Sequence, residues 1–224
     1  MKCLICETQY NESDQQCRIC GFSDSGKIFP TEEDAKYFHA TVIIPYRERW
    51  KKKKRAEKKI QIDDIITFGR HRWQVLDVQD DKALIITKNI IGKRPYSMGE
   101  DLRHISWKTC SLRTYLNSEF LMKLKEDFRI RIETTNVKNN HQLKYNENTI
   151  DTVFLLSIEE AKKYFNTNSL RIATYQQKNC NWWLRSLNIE NRMGVQISTW
   201  GTIQDNCNLL DHNCGIRPAL WLNL

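Results

Sequence analysis

Cys3-Leu-Ile-Cys6 and Cys17-Arg-Ile-Cys20 place two C-x2-C pairs ten residues apart at the start of the chain. Each pair grips a metal ion from one tight turn, and four thiolates together complete a closed tetrahedral shell. That donor set suits Zn²⁺ and leaves no open position for a catalytic water. Gly21, directly after the second pair, fits a sharp turn behind the sulfurs. A redox C-x-x-C would account for one pair but not for two in tandem. The expectation is a structural zinc knuckle over residues 1–28, with Cys3, Cys6, Cys17 and Cys20 as ligands. A segment this short has little core of its own, so metal binding would supply its folding energy.

The 224 residues include seven Trp, eight Tyr and eight Phe, enough for one substantial core and a small satellite. No apolar run approaches the length of a membrane span, and no apolar leader lies between Met1 and Cys3. The remaining cysteines, Cys110, Cys180, Cys207 and Cys214, are scattered. These features predict a reducing, cytoplasmic setting with no membrane span.

The net charge of +8 is concentrated in one place. Between Arg47 and Lys59 nine Lys/Arg face only Glu48 and Glu57. Such a run can contact phosphates or an anionic membrane. With no basic face elsewhere to extend a binding track, a solvated helical linker is the favoured reading, and nucleic acid at residues 47–59 the less favoured one. Thr31-Glu-Glu-Asp34 resembles a capping box, and Tyr37, Phe38 and Val42 follow near one helical stripe. Pro45 is expected to end or kink that helix, with a second, basic helix opening at Tyr46. Residues 29–59 thus read as a helical connector ahead of a main domain, 60–224.

That domain opens with β-branched runs at 65–68, 73–78 and 83–87, separated by polar turns, as in an antiparallel meander. A helical region follows at Ser111–Leu116 and again from Glu119 to about Phe128. Thr134 to Asn148 is Asn-rich and reads as a surface loop. Val153–Leu156 reads as a strand, and Ser157-Ile-Glu-Glu160 caps a helix to about Phe165. Strand and loop alternate from Trp182 to the final Ile216-Arg-Pro-Ala-Leu-Trp-Leu222.

Several segments carry a resemblance: Phe68-Gly-Arg-His-Arg-Trp-Gln-Val-Leu76, Ala83–Thr87, Pro95-Tyr96, Trp107, Cys110-Ser-Leu-Arg-Thr-Tyr-Leu-Asn117, Val153–Ala161, Trp182-Trp-Leu-Arg-Ser186 and Gly215–Leu222. From about residue 60 to the end, the chain resembles a bacterial domain family designated domain of unknown function 6273. The resemblance implies an α+β fold of C-type-lectin-like type, akin to formylglycine-generating enzymes. It implies a mixed antiparallel sheet with flanking helices, in which the Trp/Arg-rich strand and the final Gly-Ile-Arg strand pair. The family pattern has Pro-Gly after the Trp-Trp-Leu-Arg-Ser strand, where this chain has Leu187-Asn188. A fold of this kind does not by itself assign a reaction.

No phosphate loop, nucleophile elbow or H-E-x-x-H is present, and His39, His71, His104, His141 and His212 lie singly. An oxidase of the formylglycine-generating type would need a thiol pair, for which Cys207 and Cys214 are the close candidates. Asp205, Asn206, Asn208 and Asp211 offer oxygens for Ca²⁺ but match no loop template, so Asx-turn capping is the expected role. Trp182, Trp183, Arg185 and Arg217 read as structural, and Trp200, in Thr-Trp-Gly, as an exposed aromatic. Asn188, Asn191, Asn206 and Asn208 mark polar loops ahead of the last strand. Retroelement-diversified lectin-like domains carry Asn-rich loops there, although an AT-rich genome accounts for them as well. Together with Trp200 these Asn residues are the candidate ligand-binding positions. The expected function is non-catalytic recognition of a protein or small molecule. The alternatives are an oxidoreductase-like enzyme on the same fold and a nucleic-acid-associated protein using the knuckle and basic helix.

Overall fold

The structure, a computed structural model, describes residues 3, 5, 6, 8, 17, 19, 20, 22, 31–56, 60–98, 104–139, 147–188 and 190–224, with only the backbone course for 51–56. The chain divides into two compact units, Met1–Lys59 and Ile60–Leu224. Among the described residues no helix is long and apolar enough to cross a membrane. Gly21 lies outside the described residues, as do Asn140, His141 and the side chains of the basic run beyond Trp50.

In the first unit, Thr31 accepts a hydrogen bond from the Asp34 amide and starts α1 (Glu32–Phe38), whose first turn carries three acids. The expected break at Pro45 does not occur. A π-helical turn, His39–Ile43, carries the chain directly into α2 (Ile44–Ala56). The Ile44 amide reaches back to the His39 carbonyl across this turn. Proline has no N–H to donate, and the π-helical turn directly before it absorbs that loss within a continuous helix. Ile43 is buried with Cys3, Ile5, Cys17 and Phe22, and Phe38, Tyr46 and Trp50 pack against them. Between Phe38 and Trp50 the helix therefore forms one apolar cluster with the cysteine turns.

The second unit is mixed helix and sheet. Strands β1 (Ile65–Phe68), β2 (His71–Gln79) and β3 (Lys82–Thr87) form the expected antiparallel meander. β3 is buried on both faces from Ala83 to Thr87, which explains its unbroken apolar run. β4 is Gly92–Lys93, and α3 (Ser111–Tyr115) continues through a π-helical turn, Leu116–Phe120. This helix stops soon after Phe120, and a separate α4 (Glu126–Arg129) follows, so the longer helix expected to Phe128 is two pieces. Leu112, Leu116, Phe120 and Leu124 nonetheless form one buried stripe at four-residue spacing.

β5 (Ile132–Glu133) is followed by β6 (Thr135–Val137), which pairs with β7 (Thr149–Asp151). The stretch expected to be a loop, 134–148, thus begins with a strand that pairs with the residues just after it, and 140–146 lie outside the described residues. Arg113 and Asn117 of α3 and its π-helical extension hold the second strand and the residues that follow it. Arg113 Nε donates to Asp151 Oδ1 at 2.6 Å, and Asn117 bonds the backbone at Thr152 and Val153. Trp107 Nε1 donates to the other Asp151 oxygen at 2.8 Å.

Residues 153–156 make one bridge, Phe154 to Ala219, rather than a strand. Ser157 and Glu160 form the expected capping box of α5 (Ile158–Tyr164), and α6 (Asn168–Arg171) follows. The rest comprises β8 (Thr174–Tyr175), β9 (Lys178–Asn179), β10 (Trp182–Leu187), β11 (Gly194–Ile197), β12 (Ile203–Cys207), β13 (Gly215–Ile216) and β14 (Ala219–Asn223). One sheet has the order β1-β2-β3-β14-β5 and the other β12-β11-β10-β13-β4. Only Arg217 and Pro218 separate β13 in one sheet from β14 in the other, so the C-terminus ties the two together. Pairing is antiparallel throughout except between β10 and β13, where Trp182 lies beside Gly215.

Candidate functional site

Two sites emerge, one in each unit. In the first, the Cys3 amide donates to the Thr8 carbonyl at 3.0 Å and the Cys17 amide to that of Phe22 at 2.8 Å. Each C-x2-C pair is therefore turned by the same five-residue closure. The four sulfurs all lie within 4.8 Å of one another, with Cys3 to Cys20 and Cys6 to Cys17 at 3.5 Å. Sulfurs about 2.3 Å from a central ion in a tetrahedron stand roughly 3.8 Å apart, so the donor set fits a metal ion. Among the described residues no other cluster of three or more His, Cys, Asp or Glu side chains is close enough to do so.

The second site surrounds β12, the edge strand of its sheet. Its platform is buried and hydrogen-bonded. Trp182 and Trp183 are both fully buried, their indole N–H groups donating to the Arg171 and Arg94 carbonyls. Trp183 packs over Gly194, where a Cβ would come within 2.6 Å of its ring. Arg185, 3% exposed, donates to the Leu155 and Lys138 carbonyls, to Asn139 Oδ1 and to both oxygens of Glu160. Arg217 is also buried, with Nε 2.7 Å from the Thr87 carbonyl. Its guanidinium lies 4.9 Å from the Phe165 ring centre and 5.1 Å from that of Trp182.

The loops on this platform cross-link each other. Asn188 Oδ1 accepts from the Glu190 and Asn191 amides, and its Nδ2 donates to Asp205 at 3.1 Å. Asn191 reaches Asn206, while Asn208 Oδ1 and Asp211 Oδ1 accept from the Leu210 and Asn213 amides. Asn191, Asn206 and Asn208 are exposed and Asn188 is half-buried. Asn208 and Asp211 thus use their oxygens to close Asx-turns in their own loop.

Two clefts flank β12. One, of about 630 Å³, is lined by Gln196, Gln204, Asp205, Asn206, Asn208 and Asp211 with Ile203 and Cys207. The other, of about 340 Å³, runs between Glu159, Ser186, Asn188, Glu190 and Asp205, floored by Ile158, Leu187 and Val195. Asp205 borders both, and among the described residues no Lys, Arg or His lines either. Asn191 lines neither cleft, and neither does Trp200, which is 78% exposed. It is held on a separate turn by Gly201, whose positive φ and contact with the Asn168 carbonyl leave no room for a side chain.

Burial pushes the thiols of Cys180, Cys207 and Cys214 above the ordinary thiol range, with nearby acids adding to the rise. Cys214 donates to Gln196 Oε1 at 3.1 Å, and Cys207 to the Gln204 carbonyl. In this setting both thiols act as hydrogen-bond donors within the sheet. Gln196 and Gln204 are absent from the positions expected from the sequence. For Gln196 the signal is a polar residue on an otherwise apolar, buried strand, whereas Gln204 lies on a mostly polar one and carries no such signal.

The family model described as "Domain of unknown function (DUF6273)" matches residues 80–224, and the chain belongs to that family. The match begins at the turn between β2 and β3, later than residue 60, so β1 and β2 precede it. No curated protein and no solved structure matches the chain.

Proposed function

We propose that this is a non-catalytic recognition protein whose second unit is a C-type-lectin-like domain. It presents Asn188, Asn191, Asn206 and Asn208 around Asp205 to a ligand, while the first unit is held by a structural Zn²⁺. The observation that carries this reading is the pair of clefts flanking edge strand β12, lined by amides and carboxylates without a cation among the described residues. Such a lining offers acceptors in excess and favours ligands rich in donors, such as polyols, saccharides or amines. The lectin-like assignment is supported by the pairing of the Trp182 strand with the Gly215 strand and by polar loops between them. Zn²⁺ is supported by four sulfurs and no oxygen or nitrogen donor, a closed set for a soft, tetrahedral ion. Eight unpaired cysteines suit a reducing cytoplasm.

Thermal-shift measurements with a panel of saccharides and polyamines test the reading. A ligand that binds the folded protein raises its melting temperature. That shift should vanish in Asp205→Asn, which keeps the shape but removes a charge shared by both clefts. A panel in which nothing stabilises the protein, or a shift retained in Asp205→Asn, would overturn it.

A further inference from the structure

The clefts at β12 leave unused a feature of the first unit. Tyr46, Arg49 and Trp50 of α2, together with Cys20, line a hollow of about 240 Å³ beside the cysteine cluster. Its walls are fixed. Tyr46 donates its hydroxyl to the Cys20 carbonyl at 3.2 Å and meets Phe22 edge-on at 5.3 Å. The Arg49 guanidinium lies 5.5 Å from the Tyr46 ring centre. This hollow is below the usual size of a drug-sized ligand site, and it suits one planar group against aromatic walls and a cation.

The sequence places five consecutive cations, Lys51 to Arg55, immediately after Trp50. The helix continues through them to Ala56, so positions 53 and 54 share the helical face of Tyr46 and Trp50. A flat aromatic slot followed by a run of positive charge is the combination that holds single strands: a base stacks while the backbone is neutralised. Duplex bases are already stacked and would leave the slot empty.

We propose that the Tyr46–Arg49–Trp50 hollow is a binding site for single-stranded nucleic acid, favoured by the run of cations, Lys51 to Arg55, that the sequence places directly after it. One base stacks in the hollow, and the positive charge of the segment favours the phosphate backbone. The site is independent of the recognition loops at β12.

Fluorescence anisotropy of the full chain with a labelled single strand of about 12 nucleotides, over a range of salt, tests this. Affinity should fall steeply as salt rises, and a duplex of equal length should bind more weakly. Trp50→Ala should weaken binding by roughly 5- to 150-fold, while Trp50→Phe should stay within about twofold because the ring is kept. Both variants should retain the metal content of the parent. Arg49→Gln, at an exposed position, should weaken binding about 2- to 5-fold and guards against misfolding of the Trp50 variants. Equal affinity for duplex, or an unchanged affinity in Trp50→Ala and Arg49→Gln, would overturn the proposal. So would binding to phosphatidylserine vesicles without binding to the oligonucleotide, which would assign the basic helix to a membrane surface.

Discussion

Arg185 and Arg217 are both buried guanidinium groups, yet they stand in opposite electrostatic settings. Arg185 is paired with Glu160 and three further acceptors, and Glu160 also accepts from the Ser157 amide to cap α5. One carboxylate therefore serves a helix start and a buried cation. Removing one partner of a buried, hydrogen-bonded pair strands the other, so Arg185→Ala should cost about 3–5 kcal/mol in denaturant melts. Arg217 donates to a single carbonyl, and its Nη1 has no hydrogen-bond partner among the described residues. Burial lowers its pKa to about 9, so it remains charged at neutral pH, facing two aromatic rings. Its stem fills space at the β13–β14 link, so Arg217→Ala should cost about 2–4 kcal/mol through the cavity left. Arg217→Met keeps the volume and drops the buried charge, and should lie within about 1 kcal/mol of the parent. The same melts decide whether charge or packing matters there. At the loops, Asn188→Ala should cost about 1 kcal/mol, because Asn188 accepts two amides and bonds Asp205. Asn206→Ala, with a single exposed contact to Asn191, should stay within about 0.5 kcal/mol.

At the scale of elements, the first unit shows what local signals can and cannot reveal. The C-x2-C spacings alone make the cysteine cluster legible, because metal-ligand geometry is local. The Thr31 cap and the Ser157–Glu160 capping box are legible for the same reason. The passage through Pro45 is not, since a proline marks a lost hydrogen bond but not whether a π-helical turn absorbs it. The packing of Ile43, Tyr46 and Trp50 on the cysteine turns is hidden too, because their spacing overlaps the basic run that dominates the composition. Such packing would couple the helix to a metal ion held by the four cysteines. Removing the metal with a chelator should therefore lower amide-exchange protection over 32–56 as well as around the cysteines. Protection of 32–56 that is unchanged after verified metal loss would show that the helix stands by itself. In the second unit, the polar composition around 134–148 conceals the pairing of 135–137 with 149–151, whose second strand Arg113 holds through Asp151 from a distant helical position.

For the molecule as a whole, apolar patterning exposes the meander and terminal strands, because alternation and unbroken β-branched runs report burial directly. The division between sheets is not legible, since it turns on two residues, Arg217 and Pro218, between strands that read as one. The clefts at β12 are half legible: the Asn positions stand out, but their mutual hydrogen bonds and the shared place of Asp205 arise only from tertiary pairing. The second unit has an extensive core of its own, with Trp73, Trp107, Trp182 and Trp183 fully buried. A protein beginning at Ile60 should therefore melt cooperatively, and an aggregated or molten product would show that residues 1–59 complete the core. The central claim is that the loops around β12 form the ligand site on a fixed platform. Protein-observed NMR of the full chain, titrated with a stabilising saccharide or amine, tests it most directly. The account predicts amide shifts concentrated at 186–191 and 203–211, with 182–185 and 215–222 little changed. Shifts centred instead on Trp200 and α6, or spread through the buried strands, would contradict it.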